Sequence, residues 1–521
     1  MAKRRRRRFN TAGPNDPRDC YTLPALRRLG KIRDLIDDKL YFVIHAPRQM
    51  GKTTAILTLA KELTDEGEYA AVVVSAEAGV PHREDIGAAE LAMLEAWRID
   101  VHASLPENLQ PPPWPMTSPG SRIMSALQAW TEACRRPLVV FIDEIDALEG
   151  NTLVSVLRQI RSAHKNRPEH FPHSLALIGM RNVRDYKLAS GGADRSHSSS
   201  PFNIISDALT LRNFTHDEVA ELYGQHTAET GQVFSPEALD QAYELTNGQP
   251  WLVNALARQI VEVIVPDPAV AITVEHVNQA KDILIQRRDT HLDSLGERLQ
   301  EPRVRRVIEP IMVGEPFAVM ADDDRRYVLD LGLVREPPGK PVEVANPIYR
   351  EIIPRVLSTL AIQSIPVLTP IWLKPNGRMD FDALLQAFLA FWLRHGEPLL
   401  KSTPYHEAAP HLVLMAFLDR VSNGGGRVDR EFAIGTGRMD LLLVRGPDQL
   451  PIEVKVWRED GEKDPLSEGL SQMDGYLTRL GHPTGWLLIF DRRPKAAPLP
   501  ERLQASPATT ASGKDIVVIR A

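Results

Sequence analysis

The residues best placed to do chemistry are Ala46-Pro47-Arg48-Gln49-Met50-Gly51-Lys52-Thr53-Thr54. An apolar strand-like run, Leu40 to Ile44, precedes them, and a helical pattern, Thr54 to Leu63, follows. Strand, tight loop, Gly-Lys-Thr and helix is the context that a phosphate-binding loop requires. The backbone N–H groups of such a loop, with the next helix N-terminus, cradle a polyphosphate. Lys52 would reach the β/γ-phosphates and the Thr53 hydroxyl would ligate Mg²⁺. Ala46, Arg48, Gln49, Met50, Gly51 and Thr54 would complete the wall around the nucleotide. Ala46 stands where the usual pattern has Gly, which requires a negative φ there. The bland alternative is a strand-to-helix turn that happens to hold a lysine.

The partner of such a loop is an acidic pair at the end of a buried strand. Leu138-Val139-Val140-Phe141-Ile142 followed by Asp143-Glu144 supplies it. Asp143 would hold Mg²⁺ through water, and Glu144 would polarise the attacking water. Solvated acids ending a core strand are the alternative for either one alone. A further strand, Ser174 to Gly179, ends at Met180-Arg181. Arg181 is equally a γ-phosphate sensor or a solvated loop residue.

A second group lies near the C-terminus. In Ile452-Glu453-Val454-Lys455-Val456, Glu453 and Lys455 share one strand face. A half-buried surface strand gives the same alternation. Asp440 opens the preceding strand. A tight hairpin at Gly446-Pro447 sets Asp440 across from Glu453, with Cβ atoms roughly 5 Å apart. A loop spanning Gly446–Leu450 shifts the register and breaks that geometry. With the tight turn, Asp440 and Glu453 form a hard-oxygen Mg²⁺ site, where Mn²⁺ would also serve. Lys455 would orient or help deprotonate water and offset charge on the transition state. Glu407 is either an outer carboxylate for that metal or an exposed helix acid. Gln472 and Tyr476, one helical turn apart, would steady Lys455 or the scissile phosphate.

The elements that must position these residues fall into several domains, because 521 residues exceed one hydrophobic core. With 43% hydrophobic and 25% charged residues the composition is that of a globular protein. A formal net charge of -6 gives no global nucleic-acid signature, but Lys3 to Arg8 is an unbroken basic run. It reads as a disordered, solvated tail or as a salt-sensitive contact to phosphates. Two cysteines argue against a disulfide framework and fit a reducing cytoplasm. No stretch approaches a transmembrane span, no secretory signal follows the basic start, and no repeat is visible.

Apolar strands alternating with helices predict a parallel sheet covered on both faces, with ligands at the strands' carboxyl ends. The expected plan is α/β and multidomain. It comprises a basic disordered arm (1–20), a P-loop ATPase core (21–212), a helical lid (213–290), a winged-helix-like module (291–362) and a linker (363–377). A C-terminal α/β restriction-endonuclease-like domain (378–495) and a tail (496–521), in which Val517 to Arg520 reads as one more strand, complete it. In the lid, Thr215 and Ser235 read as N-caps, Thr215 at capping-box spacing with Glu218. In the module, Val334-Arg335 and Val342 to Ala345 flank a Pro337-Pro338-Gly339 turn.

Ala46 to Thr54, Phe141 to Asp146 and Gly248-Gln249-Pro250 resemble the AAA-like and STAND-like P-loop ATPases of bacteria and archaea. There an Ala-Pro-Arg-Gln-x-Gly-Lys loop is a familiar variant, and the resemblance implies that Pro250 contacts the nucleotide region. Residues 400–495 resemble the PD-(D/E)xK nuclease superfamily, with Glu407, Asp440, Glu453, Lys455 and Gln472 matching its site in order. Together these imply an ATP-controlled, Mg²⁺-dependent enzyme that cleaves DNA, with RNA second, and a role in defence or mobile-element control would fit. The alternatives are an ATP-dependent switch that binds DNA or a protein through an inactive nuclease fold, and a pure ATPase motor. Whether a homo-oligomer forms stays open, as no clear arginine finger is present.

Overall fold

The computed structural model describes the chain except residues 1–6, 181–203, 288–289, 313–320, 365–369, 403–407, 423–425, 435–436 and 459–462. It divides into two compact units, residues 1–287 with 325–347, and residues 288–324 with 348–521. The stretch expected as one winged-helix-like module is thus shared between them.

The first unit is built on five parallel strands: β1 (Tyr41–His45), β2 (Ala70–Ser75), β3 (Leu138–Asp143), β4 (Ser174–Gly179) and β5 (Asp207–Thr210). Their order across the sheet is β2-β3-β4-β1-β5. Side-chain alternation splits each central strand between two cores. Tyr41, Val43, Val140, Ile142, Leu175 and Leu177 enter one core; Phe42, Ile44, Val139, Phe141, Ala176 and Ile178 enter the other. Burial on both faces explains why these segments read as unbroken apolar runs. The result is a five-stranded parallel sheet with a hydrophobic core on each face.

Helices His216–Thr230, Pro236–Thr246 and Pro250–Gln259 follow the sheet. The first begins with the expected capping box, in which Thr215 and Glu218 satisfy each other's backbone N–H groups. Ser235 caps the second through Ala238 N. Among the described residues a two-stranded ribbon, β6 (Val334–Arg335) against β7 (Glu343–Val344), flanks the expected turn.

Residues 7–20 differ from the expected disordered arm. Phe9 is fully buried, Cys20 is buried, and Arg8 pairs with Cys20 in a short parallel bridge. Phe9 packs its ring 4.8 Å from Tyr21 and 5.5 Å from Tyr223. One aromatic anchor removed from water is enough to order a polar segment that composition alone marks as solvated.

The second unit contains a six-stranded mixed sheet, ordered β12-β13-β11-β10-β9-β8. Its strands are β8 (Arg427–Ile434), β9 (Gly437–Arg445), β10 (Asp448–Trp457), β11 (Thr484–Asp491), β12 (Gln504–Thr509) and β13 (Asp515–Arg520). Helices Phe381–Phe391 and Ala409–Ser422 pack on one face, and Leu466–Leu480 on the other. The sheet therefore continues past residue 495: β13 contains the strand read at Val517 to Arg520, β12 occupies a stretch expected only as tail, and Asp491 N donates to the Ala521 carbonyl at 2.8 Å.

The β9–β10 connection is the tight turn. Arg445 pairs with Asp448 across Gly446-Pro447, and Gly446 takes φ 56°. Asp448 fixes this corner: its buried carboxylate accepts from Arg378 Nε at 2.7 Å and Met379 N at 2.8 Å. The Arg378 guanidinium, then the Met379 N–H, hold that carboxyl below its ordinary range. A depressed folded pKa stabilises above the unfolded value and is lost as pH falls through the folded one. Asp448→Asn should cost about 1–3 kcal/mol at pH 7. In urea titrations the gap from wild type should close as pH drops through and below the carboxylate range.

Candidate functional site

The loop after β1 turns sharply because two of its residues are left-handed: Gln49 at φ 61° and Gly51 at φ 84°. A non-glycine residue there is strained by roughly 1–2 kcal/mol, which the surrounding fold must hold. Ala46 is buried and does not have a positive φ, so its methyl group meets the condition set for it. The helix Lys52–Asp65 starts directly from Gly51, and its first N–H groups face the loop. Met50 is buried in the core under that helix, which anchors the loop from behind.

Lys52 Nζ donates to the carbonyls of Ala46 at 2.7 Å and Pro47 at 2.9 Å. Burial lowers its pKa, while Asp146, Asp143 and Glu144 oppose that shift. Thr53 Oγ1 donates to Asp143 Oδ2 at 2.8 Å, which joins the loop to the end of β3. Asp143 Oδ1 accepts from Glu144 N at 2.9 Å. Glu144 is left-handed at φ 55°, which turns the chain as it leaves the sheet. Burial raises the pKa of both carboxyls, and for Glu144 the neighbouring Asp143 adds to it. A cation beside them would reverse that penalty, so the Thr53–Asp143 pair has the oxygen chemistry of a Mg²⁺ site.

Most of these residues line one cavity of about 560 Å³, within the size of a small-molecule site; Ala46 and Asp143 do not border it, and Asp143 faces a neighbouring cavity shared with Thr53 and Glu144. Arg48, Gln49, Met50, Gly51, Lys52, Thr53, Thr54, Glu144 and Pro250 all border it. Pro250 is the first residue of its helix, whose N-terminus is capped by Gln249, its Oε1 accepting from Leu252 N at 2.6 Å. Arg181 lies outside the described residues.

Three contributors were not assigned from the sequence. Asp146 borders the cavity; its Oδ2 accepts from Met180 N at 3.0 Å, and its Oδ1 is buried with no hydrogen-bond partner among the described residues. The Asp-Glu-Ile-Asp spacing was the available signal. Arg28 is buried and its Nη1 donates to the carbonyls of Met50 at 3.0 Å and Arg212 at 3.1 Å. It thereby ties the loop to the start of the lid, and burial depresses its pKa to about 10. Asn10 to Asn15 also border the cavity, and Asn15 N donates to Thr54 Oγ1 at 3.1 Å.

Gly248 makes the lid corner possible. It has φ 70°, and a Cβ there would stand 2.0 Å from the Phe214 carbonyl oxygen. Gly248→Ala should therefore cost about 3 kcal/mol or more, read as a lower urea midpoint. The ribbon reaches the loop as well: Gly332 abuts Pro47 with no room for a Cβ, and Asn247 Nδ2 donates to the Ala345 carbonyl at 2.7 Å.

The second expected group sits on β10. Glu453 is buried, and Lys455 Nζ lies 3.2 Å from Glu453 Oε1 and 3.4 Å from Glu468 Oε1. Gln472 Nε2 donates to Glu468 Oε1 at 3.3 Å, while its buried Oε1 has no partner among the described residues. Tyr476, one turn further along the helix, is buried. The β9–β10 ladder is paired as far as Ile452 opposite Leu441, and the next step of that register is Glu453 opposite Asp440. The Asp440 side chain and all of Glu407 lie outside the described residues. Among the described residues no group of three or more His, Cys, Asp or Glu is placed to hold a metal. Glu468 was not singled out from the sequence; an exposed helix acid carries no signal of its own.

No protein-family model matches the chain, and no curated protein matches it. Among solved structures, the Walker-type ATPase PABY2304 of Pyrococcus abyssi aligns with 66% of this chain and 99% of its own, at 12% identity and TM-score 0.46. The RuvB Holliday junction branch migration motor of Thermotoga maritima covers 61% of this chain and 89% of its own, at 15% identity and TM-score 0.34. Cdc6p of Pyrobaculum aerophilum covers 69% and 98%, at 13% identity and TM-score 0.37. Among the described residues no helix is long and apolar enough to cross a membrane.

Proposed function

We propose that this protein binds and hydrolyses ATP at the Ala46–Thr54 loop and thereby controls a metal-dependent nuclease in its C-terminal domain. The observation that carries the reading is the Thr53–Asp143 hydrogen bond of 2.8 Å, which joins a Gly-Lys-Thr loop to an acidic strand end beside Glu144. The loop N–H groups and Lys52 bind the polyphosphate, Asp143 and Thr53 hold Mg²⁺, and Glu144 accepts a proton from the attacking water. Mg²⁺ would supply charge neutralisation between the β- and γ-phosphates.

For the nuclease, the support is a helix, an antiparallel three-strand run, a helix and a parallel strand, with Glu453 and Lys455 on the central strand β10. Asp440, Glu453 and Glu407 would hold Mg²⁺ or Mn²⁺, and Lys455 with Gln472 would position water and phosphate. DNA as the substrate rests on the resemblance to the PD-(D/E)xK nucleases. The test is cleavage of supercoiled and single-stranded DNA with Mg²⁺ or Mn²⁺, with and without ATP. Cleavage that ATP alters supports the reading. ATP-sensitive DNA binding without product under any metal condition replaces it with a non-catalytic switch.

A further inference from the structure

We propose that residues Arg7–Asn15 form a releasable strap that gates nucleotide entry and exit. The inference rests on the reading that the cavity at the Ala46–Thr54 loop binds nucleotide. Asn10 to Asn15 border that cavity together with the loop and with Pro250, Trp251 and Asn254 of the lid. The strap is pinned at both ends. At one end Phe9 is fully buried against Tyr21 and Tyr223, and Arg7 Nε donates to Glu229 Oε2 at 2.9 Å. At the other, Asn15 N donates to Thr54 Oγ1.

Between the pins the strap carries almost no apolar burial. Ala12, Gly13 and Pro14 are exposed, and the turn is held by Asn10 Nδ2 to the Gly13 carbonyl at 3.1 Å and to Asn15 Oδ1 at 2.7 Å. Its midpoint is tied to the lid by polar bonds: Trp251 Nε1 to the Thr11 carbonyl at 2.9 Å, and Arg258 Nη1 to Thr11 Oγ1 at 2.8 Å. Few buried contacts and replaceable hydrogen bonds place a segment at the low-stability end of local opening. Phe9 is the one large apolar group that opposes release. The strap thus covers the cavity by an anchor in the lid, and loss of that anchor uncovers it.

The test follows a fluorescent N-methylanthraniloyl ADP by stopped flow on the full chain. Loss of a gate speeds association and dissociation together; loss of a mere contact to the nucleotide speeds dissociation alone. Phe9→Ala should accelerate both rates by about tenfold or more, since its buried ring is the main anchor. The double variant Arg7→Ala/Arg258→Ala, which leaves Phe9 in place, should accelerate both by about threefold, as a partly exposed ion pair and a single hydrogen bond to the Thr11 hydroxyl are each weak. Unchanged rates in the double variant, with Phe9→Ala either unchanged or unfolded, overturn the strap. Faster dissociation with unchanged association also overturns it. Failure of the wild-type protein to bind the probe overturns the nucleotide reading itself, a result distinct from bound probe whose rates ignore the strap.

Discussion

Lys52→Ala should lower ATP turnover by about 10²–10³-fold, the usual loss when one preorganised charge is removed from developing phosphate charge. Lys52 is the cation held closest to the loop, on the Ala46 and Pro47 carbonyls, and Asp143, Glu144 and Asp146 stand near it. Without it, three acids face a tetra-anionic ligand, and only Arg28 and Arg48 at the cavity wall, the loop dipoles and a metal are left to offset them. Binding should therefore fall with turnover. The check is thermal: ligand at about 100 times its Kd stabilises a folded protein by about 2.7 kcal/mol. Saturating ATP-Mg²⁺ should raise the wild-type transition and leave that of Lys52→Ala in place. The variant should fold, because the loop keeps its other anchors, Met50 in the core and Arg28 on the Met50 carbonyl. An ATP-induced shift of equal size in both proteins would refute the assignment.

The loop was legible because its chemistry is local. Gly51, Lys52 and Thr53 are adjacent in sequence, and the strand before them and helix after them are marked by uninterrupted and 3.6-periodic apolar residues. β4 and the helix His216–Thr230 were likewise readable to the residue, one from burial on both faces and the other from its capping box. Arg28 was not. Its value lies in reaching Met50 and Arg212, 22 and 184 residues away. The strap failed to register for the same reason: Phe9 stands alone beside a basic run, and its partners Tyr223 and His226 are more than 200 residues distant. β12 is an exposed edge strand, Gln-Ala-Ser-Pro-Ala-Thr, with no alternation to betray it. The hairpin register was open in the sequence because either turn suited the residues. The ties from Arg378 and Met379 to Asp448 select the two-residue turn, and those partners come from an element 70 residues earlier.

Lys455→Ala should reduce DNA cleavage by about 10²–10³-fold at saturating Mg²⁺ or Mn²⁺. The argument is positional. The tight turn puts Glu453 next in register with Asp440, and strand alternation keeps Lys455 on the same face two residues on. Lys455 is held between the buried Glu453 and the exposed Glu468, so its ammonium is aimed rather than free to roam. In the proposed nuclease, Glu453 would hold a metal that draws the phosphate, and Lys455 would stand beside that phosphate. Removing it also withdraws a cation from a buried carboxylate, which costs stability of its own. Activity loss alone therefore does not separate chemistry from folding. Glu453→Gln/Lys455→Met removes both charges, and should regain much of the lost transition temperature while staying inactive. Glu468→Gln is the opposite control, since it loosens only the exposed partner and should keep most of the cleavage. Recovery of cleavage in the charge-free double variant would mean that the pair is structural and that the nuclease reading fails at its centre.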